Sequence, residues 1–223
     1  MEAGREEFER ELQAEGLGLL RELGRFASQR AQAAPESIAA ERFPFWRPPL
    51  DRPHASRLLD YLIFDYHPNA YGRSAAQEYL AERAPVMRHR WRDLLSAWQD
   101  KSMRLFALDQ WSGGFARCRP VLPGDGPSIE VLPLERGDTI EEGSPIALRA
   151  LPIGARFVYA SWPVSFGKRS VDDVREAIIA RHHAFVRAER IVSLEEFLRL
   201  RGTAFDEEAA GASLTQIIVP GRA

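Results

Sequence analysis

Apolar positions along this chain change period twice. Up to residue 102 they recur every three to four residues; from 103 to 169 they gather in short runs broken by Gly and Pro; from 170 the helical spacing returns. A period near 3.6 marks an amphipathic helix, and a period of two marks a half-buried strand. The pattern predicts an α+β protein with an N-terminal helical subdomain, a five-stranded antiparallel sheet or small barrel, and C-terminal helices.

The first segment, 1–54, opens with a long helix over 5–32 whose stripe is Phe8, Leu12, Leu19, Leu23 and Phe26. Gly16, Gly18 and Gly24 each weaken such a helix by roughly 1 kcal/mol against alanine. The stripe needs a cover: the body of the protein, or the same helix of a second copy in a homodimer. Residues 33–54 read as a non-helical connector. Its centre, Phe43-Pro-Phe-Trp-Arg-Pro-Pro-Leu50, combines three prolines with rings that are costly to leave in water, so it is expected to lie on the core as a strap, or else to dock a partner.

In 55–102 three helices are expected. Leu58, Leu59, Leu62, Ile63 and Tyr66 face inward from the first; Ser74 and Gln77 open the second as a capping box; Pro85 starts the third, whose inner face is Met87, Trp91, Leu94, Leu95 and Trp98. The β module, 103–169, has strand-length runs at 103–108, 114–119, 128–132, 145–151 and 157–162. In 170–202, Ser170 with Asp173 and Ser193 with Glu196 open two helices, and Gly202 closes the second. The tail, 203–223, holds one apolar run, Leu214–Val219, which either adds a strand at an open sheet edge or is mobile.

Composition narrows the class. With 45% hydrophobic and 28% charged residues the chain is an ordinary globular one, and a net charge of −2 gives no global pull toward nucleic acid or anionic lipid. No run approaches the roughly 18 apolar residues that span a bilayer. The acidic start lacks the apolar core of a signal peptide, so a cytoplasmic protein without membrane contact is expected. The single cysteine, Cys118, excludes an internal disulfide and a cysteine-rich zinc site.

Leu59-Asp-Tyr-Leu-Ile-Phe-Asp-Tyr66, the helix from Trp91 to Trp98, Met103-Arg-Leu-Phe106 and Glu142-Gly-Ser-Pro-Ile-Ala-Leu-Arg-Ala-Leu151 together resemble a group of uncharacterised bacterial proteins. In that group a Phe-Asp-Tyr helix precedes a Trp-bearing helix and a small β module. The resemblance covers about residues 55–190 and implies the same α+β architecture in a bacterial protein. Some members carry a C-terminal zinc knuckle of the SecA type; this chain has no such cysteines, so no zinc is implied.

Candidate chemistry is sparse. Asp60, Asp65, His67 and the pair His182-His183 offer imidazole and carboxylate ligands, and a metal-dependent hydrolase using Asp65, His67 and His182 or His183 is one reading. Adjacent histidines on a helix point roughly 100° apart, however, and Asp65 serves equally well to cap a helix or pair with an arginine. Cys118 sits between Arg117 and Arg119, but strand alternation turns it away from both and into the core. No phosphate loop, dinucleotide fingerprint or serine-hydrolase elbow occurs.

Residues 83–119 carry eight Lys or Arg against three Asp, with rings interleaved. Arg88, Arg90, Arg92, Lys101, Arg104, Phe106, Trp111, Arg117 and Arg119 are the candidate contacts to single-stranded nucleic acid, since cations hold phosphates and rings stack bases. The reading that follows is a non-enzymatic binding or regulatory protein without a cofactor, whose partner is a macromolecule, either protein or nucleic acid.

Overall fold

The N-terminal stripe folds as one helix, α1 (Glu2–Arg30), in a computed structural model that describes residues 2–31, 33–67, 72–112, 115–132 and 140–211. The run 214–219 lies outside the described residues. Leu12, Leu19, Leu23 and Phe26 are buried against the protein's own body, while Phe8 stays half exposed. The glycines of α1 have a use that helix propensity alone misses. A Cβ on Gly16 would lie 2.6 Å from Ile153 Cδ1 and 3.4 Å from the Trp98 ring, and one on Gly24 would lie 3.1 Å from a Leu59 methyl. Gly16 and Gly24 let large side chains approach the helix backbone.

The connector is partly helical. Pro35 occupies the first turn of α2 (Pro35–Arg42), the position where a missing N–H costs nothing. Only 43–51 behaves as the expected strap: Phe43 is fully buried, stacks on Trp46 at 3.9 Å and meets Tyr61 edge-on at 5.3 Å. Asp51 then caps α3 (Arg52–Phe64) by accepting from the His54 backbone N–H at 2.9 Å. The Ser74–Gln77 capping box opens α4 (Ala75–Arg83) as expected. The next helix, α5 (His89–Trp98), starts later than Pro85, with Arg88 as its cap residue. On its inner face Leu95 and Trp98 are fully buried, and Trp91 and Leu94 only partly so. The Trp98 indole donates to Pro152 O at 2.8 Å, fixing α5 to the sheet.

The sheet is larger than the sequence suggests and is mixed rather than antiparallel. Among the described residues it has seven strands: β1 (Arg104–Ser112), β2 (Phe115–Leu122), β3 (Ile129–Leu132), β4 (Pro145–Leu148), β5 (Ala150–Ile153), β6 (Arg156–Tyr159) and β7 (Val164–Ser165), in the order β5-β6-β3-β2-β1-β4-β7. All pairings are antiparallel except β3 with β6. The run expected as one strand over 145–151 is split at Arg149 between β4, which pairs with β1, and β5, which pairs with β6.

That split dictates curvature. Laid flat, β5 and β4 would be five strand spacings, or about 24 Å, apart. Yet Leu148 and Ala150 flank a single residue and lie within about 8 Å. The sheet therefore rolls until the two meet at Arg149. Phe106, Leu108, Cys118, Val131, Ile146 and Leu148 fill the inside of the curl.

Two helical layers cover the outside. Leu151, Ile153 and Val158 join the core of α1–α5, so the helical subdomain and the sheet share one hydrophobic cluster. Leu105, Ala107 and Ala147 pack under α6 (Val171–Ala188), α7 (Leu194–Leu200) and α8 (Ala204–Ala209). Ser170 and Asp173 form the capping box of α6, and Ser193 caps α7 by accepting from the Glu196 N–H. Residues expected as the start of a tail instead form α8, with Phe205 fully buried. Among the described residues no helix is long and apolar enough to cross a membrane.

The glycine contacts make a paired prediction. Gly18→Ala meets only a carbon of the Trp91 ring at 3.5 Å, an ordinary contact, and should stabilise the fold by up to about 1 kcal/mol. Gly16→Ala must push Ile153 and Trp98 aside, and should lower stability by about 1 kcal/mol despite the same gain in helix propensity. Urea unfolding of the two variants reads both signs.

Candidate functional site

Alternation along the bent strand points Ile146, Leu148 and Ala150 into the curl and Ala147, Arg149 and Leu151 outward. Arg149 thus emerges at the seam between the two helical layers, where its side chain is 1% exposed. A guanidinium buried there needs acceptors for all its donors. Its Nε donates to Asp60 Oδ1 at 2.8 Å, one Nη donates to Asp65 Oδ2 at 2.5 Å, and the other donates to Lys101 O.

The same Asp60 also receives Arg57 at 2.5 Å, one turn back on α3. Arg57 goes on to Asp206 of α8 at 3.1 Å and to the Gly202 carbonyl. Gly202 is not a left-handed helix cap. It is glycine because a Cβ there would fall 2.5 Å from Asp65 Cγ.

This cluster holds three carboxylates against two guanidiniums, and Arg169, Arg181 and Arg201 around the adjoining Glu207 and Glu208 bring the joined network to five of each. Burial pushes the Asp65 carboxyl above its ordinary value despite Arg149, and pushes Asp206 up to about 6 despite Arg57. Burial works against the charged form of Arg57, but Asp206, Asp60 and Asp65 outweigh it and raise its pKa. A second group lies beside the first. Glu207 accepts from Arg181 at 3.4 Å and from the Thr203 hydroxyl at 2.6 Å, and Glu208 accepts from Arg181 at 2.6 Å and from Arg169 at 2.5 Å.

The metal reading meets this geometry directly. Asp60 and Asp65 are bound to arginine; Asp65 takes the arginine-pairing role that the sequence left open. His67 is exposed, with Nδ1 2.8 Å from Gly72 O; His182 spends Nε2 on Val192 O at 2.8 Å; His183 points outward. Among the described residues no three His, Cys, Asp or Glu side chains come together to hold a metal. Cys118 lies fully buried, and burial pushes its thiol up to about 12, which removes the thiolate a nucleophile needs.

The basic stretch is dispersed. Arg88, Arg90 and Arg92 lie on or beside α5, which packs on β5; Arg117 and Arg119 lie on β2, with β6 and β3 between them and that edge. Arg90 reaches Glu15 at 3.7 Å, Arg104 reaches Glu195 at 4.0 Å, Arg117 reaches Glu130 at 3.7 Å and Arg119 reaches Asp109 at 3.4 Å. The Lys101 side chain is exposed. Phe106 is 1% exposed inside the curl and offers no face for a base. Trp111 is half-buried against the same cluster.

Two concavities lie around the strap. An open groove of about 550 Å³ runs between α2, the strap and α3, with Pro35, Pro44, Pro48, Pro49, Trp46 and Leu58 in its walls. Trp46 also walls a second cavity of about 300 Å³, which includes Phe45, His54, Trp162, Arg57 and Asp206. No family model, curated protein or solved structure matches this chain.

Sequence reasoning placed neither concavity and missed Arg57, Arg149 and Asp206. One signal was available for Arg149: a lone charge inside the apolar run Pro145–Leu151 requires a buried partner. The signal for Asp206 was weaker, because Asp206-Glu207-Glu208 reads as a solvated acidic patch.

The raised Asp206 carboxyl sets the sign of a pH effect. Its folded value of about 6 lies above the unfolded 3.8, so the folded state holds the proton more tightly. The associated stability is fully present below 3.8 and is lost as pH rises through about 6. The stability difference between the wild type and Asp206→Asn should therefore shrink from pH 4 to pH 7, read by thermal unfolding at a series of pH values. A difference that grows instead would mean that Arg57 depresses the carboxyl.

Proposed function

We propose that this protein works by binding rather than by catalysis, and that its ligand is a small apolar molecule held in the groove between α2, the strap and α3. The observation that carries this reading is the groove itself. Its volume of about 550 Å³ falls in the range of small-ligand sites, and its walls are proline, alanine and leucine side chains with one tryptophan. Four of the lining residues are prolines, which lack an N–H, so the groove is poorly suited to adding a peptide strand by backbone hydrogen bonds.

Three turns of helix with side chains would displace roughly twice this volume. Glu36 is the one charged residue in the lining, and the Ser28 hydroxyl already donates to Gly24 O at 2.9 Å. Recognition would rest on shape and apolar area. The macromolecular partner expected from the basic stretch has less support, because the fold buries Phe106 and spreads the arginines over separate elements.

The test uses an apolar reporter dye, 8-anilinonaphthalene-1-sulfonate, titrated into the full chain while the emission of dye and tryptophan is followed. One saturable site per chain is expected. Ala40 lines the groove from an exposed position on α2. Ala40→Phe should fill the groove, leave the unfolding free energy within about 0.5 kcal/mol of wild type, and abolish the dye signal. Unchanged dye binding in that variant would sink the proposal.

A further inference from the structure

The cavity on the other side of Trp46 has a different chemistry. It is enclosed by the strap, the first turns of α3, the segment before β7 and the end of α8, and its volume is about 300 Å³. Three large rings contribute to it, Phe45, Trp46 and Trp162, together with the His54 imidazole. All four side chains are half-buried, so the cavity is walled yet open. Behind the rings lies Asp206, whose side chain is 4% exposed.

We propose that this cavity binds a small organic cation of the quaternary-ammonium type. Aromatic faces carry negative quadrupole charge and attract a cation set against them, most strongly when both are shielded from water. One ring already does so: the Arg52 guanidinium lies 5.9 Å from the centroid of Trp162.

The charge behind the rings points the same way. Asp206 sets a buried carboxylate into the lining of the cavity itself, beside the rings. Arg57 also lines the cavity, but its guanidinium is committed to Asp60, Asp206 and the Gly202 carbonyl, so its field is met within the cluster.

Rings supply attraction without strong acceptors. They suit an ammonium whose hydrogens are replaced by methyl groups better than one that must keep its hydrogen bonds. This site is independent of the apolar groove, although Trp46 stands between the two.

The experiment is isothermal titration of the full chain with choline and with tetramethylammonium. The control is 3,3-dimethylbutan-1-ol, the uncharged isostere of choline. Saturable binding of both cations is expected, with the isostere about tenfold weaker or more. Trp162→Leu keeps apolar bulk and removes the ring, and should weaken choline by about tenfold. Asp206→Asn should weaken it as well; if that variant does not fold, Trp162→Leu and the isostere carry the test. Ala40→Phe, which fills the neighbouring groove, should leave choline binding intact. Absence of saturable cation binding, equal binding of the isostere, an unaffected Trp162→Leu, or loss of choline binding in Ala40→Phe would each overturn the proposal.

Discussion

A run of chain that feeds β5 at one edge of the sheet and β4 near the other must turn a corner, and here the corner residue is an arginine facing outward into the protein. Everything around Arg149 follows from that constraint. Its side chain leaves the curl between Ala147, which lies under α6–α8, and Leu151, which lies under α1–α5. No water reaches it, so its donors must be met by groups brought from elsewhere: Asp60 and Asp65 at the two ends of one helical turn, and the carbonyl of Lys101 just after α5. Burying two charges costs several kcal/mol per ion, and apolar replacements of such clusters are often no less stable. What an apolar corner would lack is direction. A planar guanidinium with fixed donors holds the end of α3, the end of α5 and the sheet corner in one arrangement. Removing one partner would strand the rest, typically at a cost of 3–5 kcal/mol.

The C-terminal helix closes the same cluster from the other side. Asp206, Glu207 and Glu208 are consecutive, yet they diverge to Arg57 on α3, Arg181 on α6 and Arg169 before α6. On a helix, successive side chains point about 100° apart, so Asp206 turns to Arg57 on α3 while Glu207 and Glu208 share Arg181 on α6. Six residues make a helix too short to stand on its own propensity. Phe205 supplies the apolar anchor, and the three acids supply the orientation. Gly202 completes the closure, giving its carbonyl to Arg57 and leaving room beside its α-carbon for Asp65.

Local rules made much of this legible in the sequence, and long-range pairing hid the rest. The capping boxes at Ser74 and Ser170 and the burial of Trp98 depend on neighbours three to seven residues away, and they follow from spacing alone. The parallel pairing of β3 with β6 and the break at Arg149 depend on partners far along the chain, and no local period encodes them. The glycines of α1 illustrate the same limit. Propensity counts them as a cost, while the approach of Ile153 and Leu59 explains why two of them are there. The basic stretch misled in the opposite way. Arginines close in sequence were dealt onto a helix and a distant strand, and a phenylalanine among them was turned inside.

The disposition of the polar groups bears on the proposal that the protein works by binding. A catalytic carboxylate, imidazole or thiol has to keep an atom available for a substrate. Asp60 and Asp65 are held by arginines, His182 gives Nε2 to a backbone carbonyl, and the Cys118 thiol sits inside the curl with its pKa pushed up to about 12. Among the candidates, only His67 and His183 keep their rings exposed. The two concavities around the strap are instead walled mainly by proline, alanine, leucine and aromatic side chains, which can select a ligand by shape and ring contact. The strap in turn is anchored by Phe43, which stacks on Trp46 and faces the Arg57 guanidinium at 5.9 Å. The network that fixes the sheet corner therefore also holds the wall of both cavities. A wall fixed in advance lowers the ordering cost of any ligand that binds there.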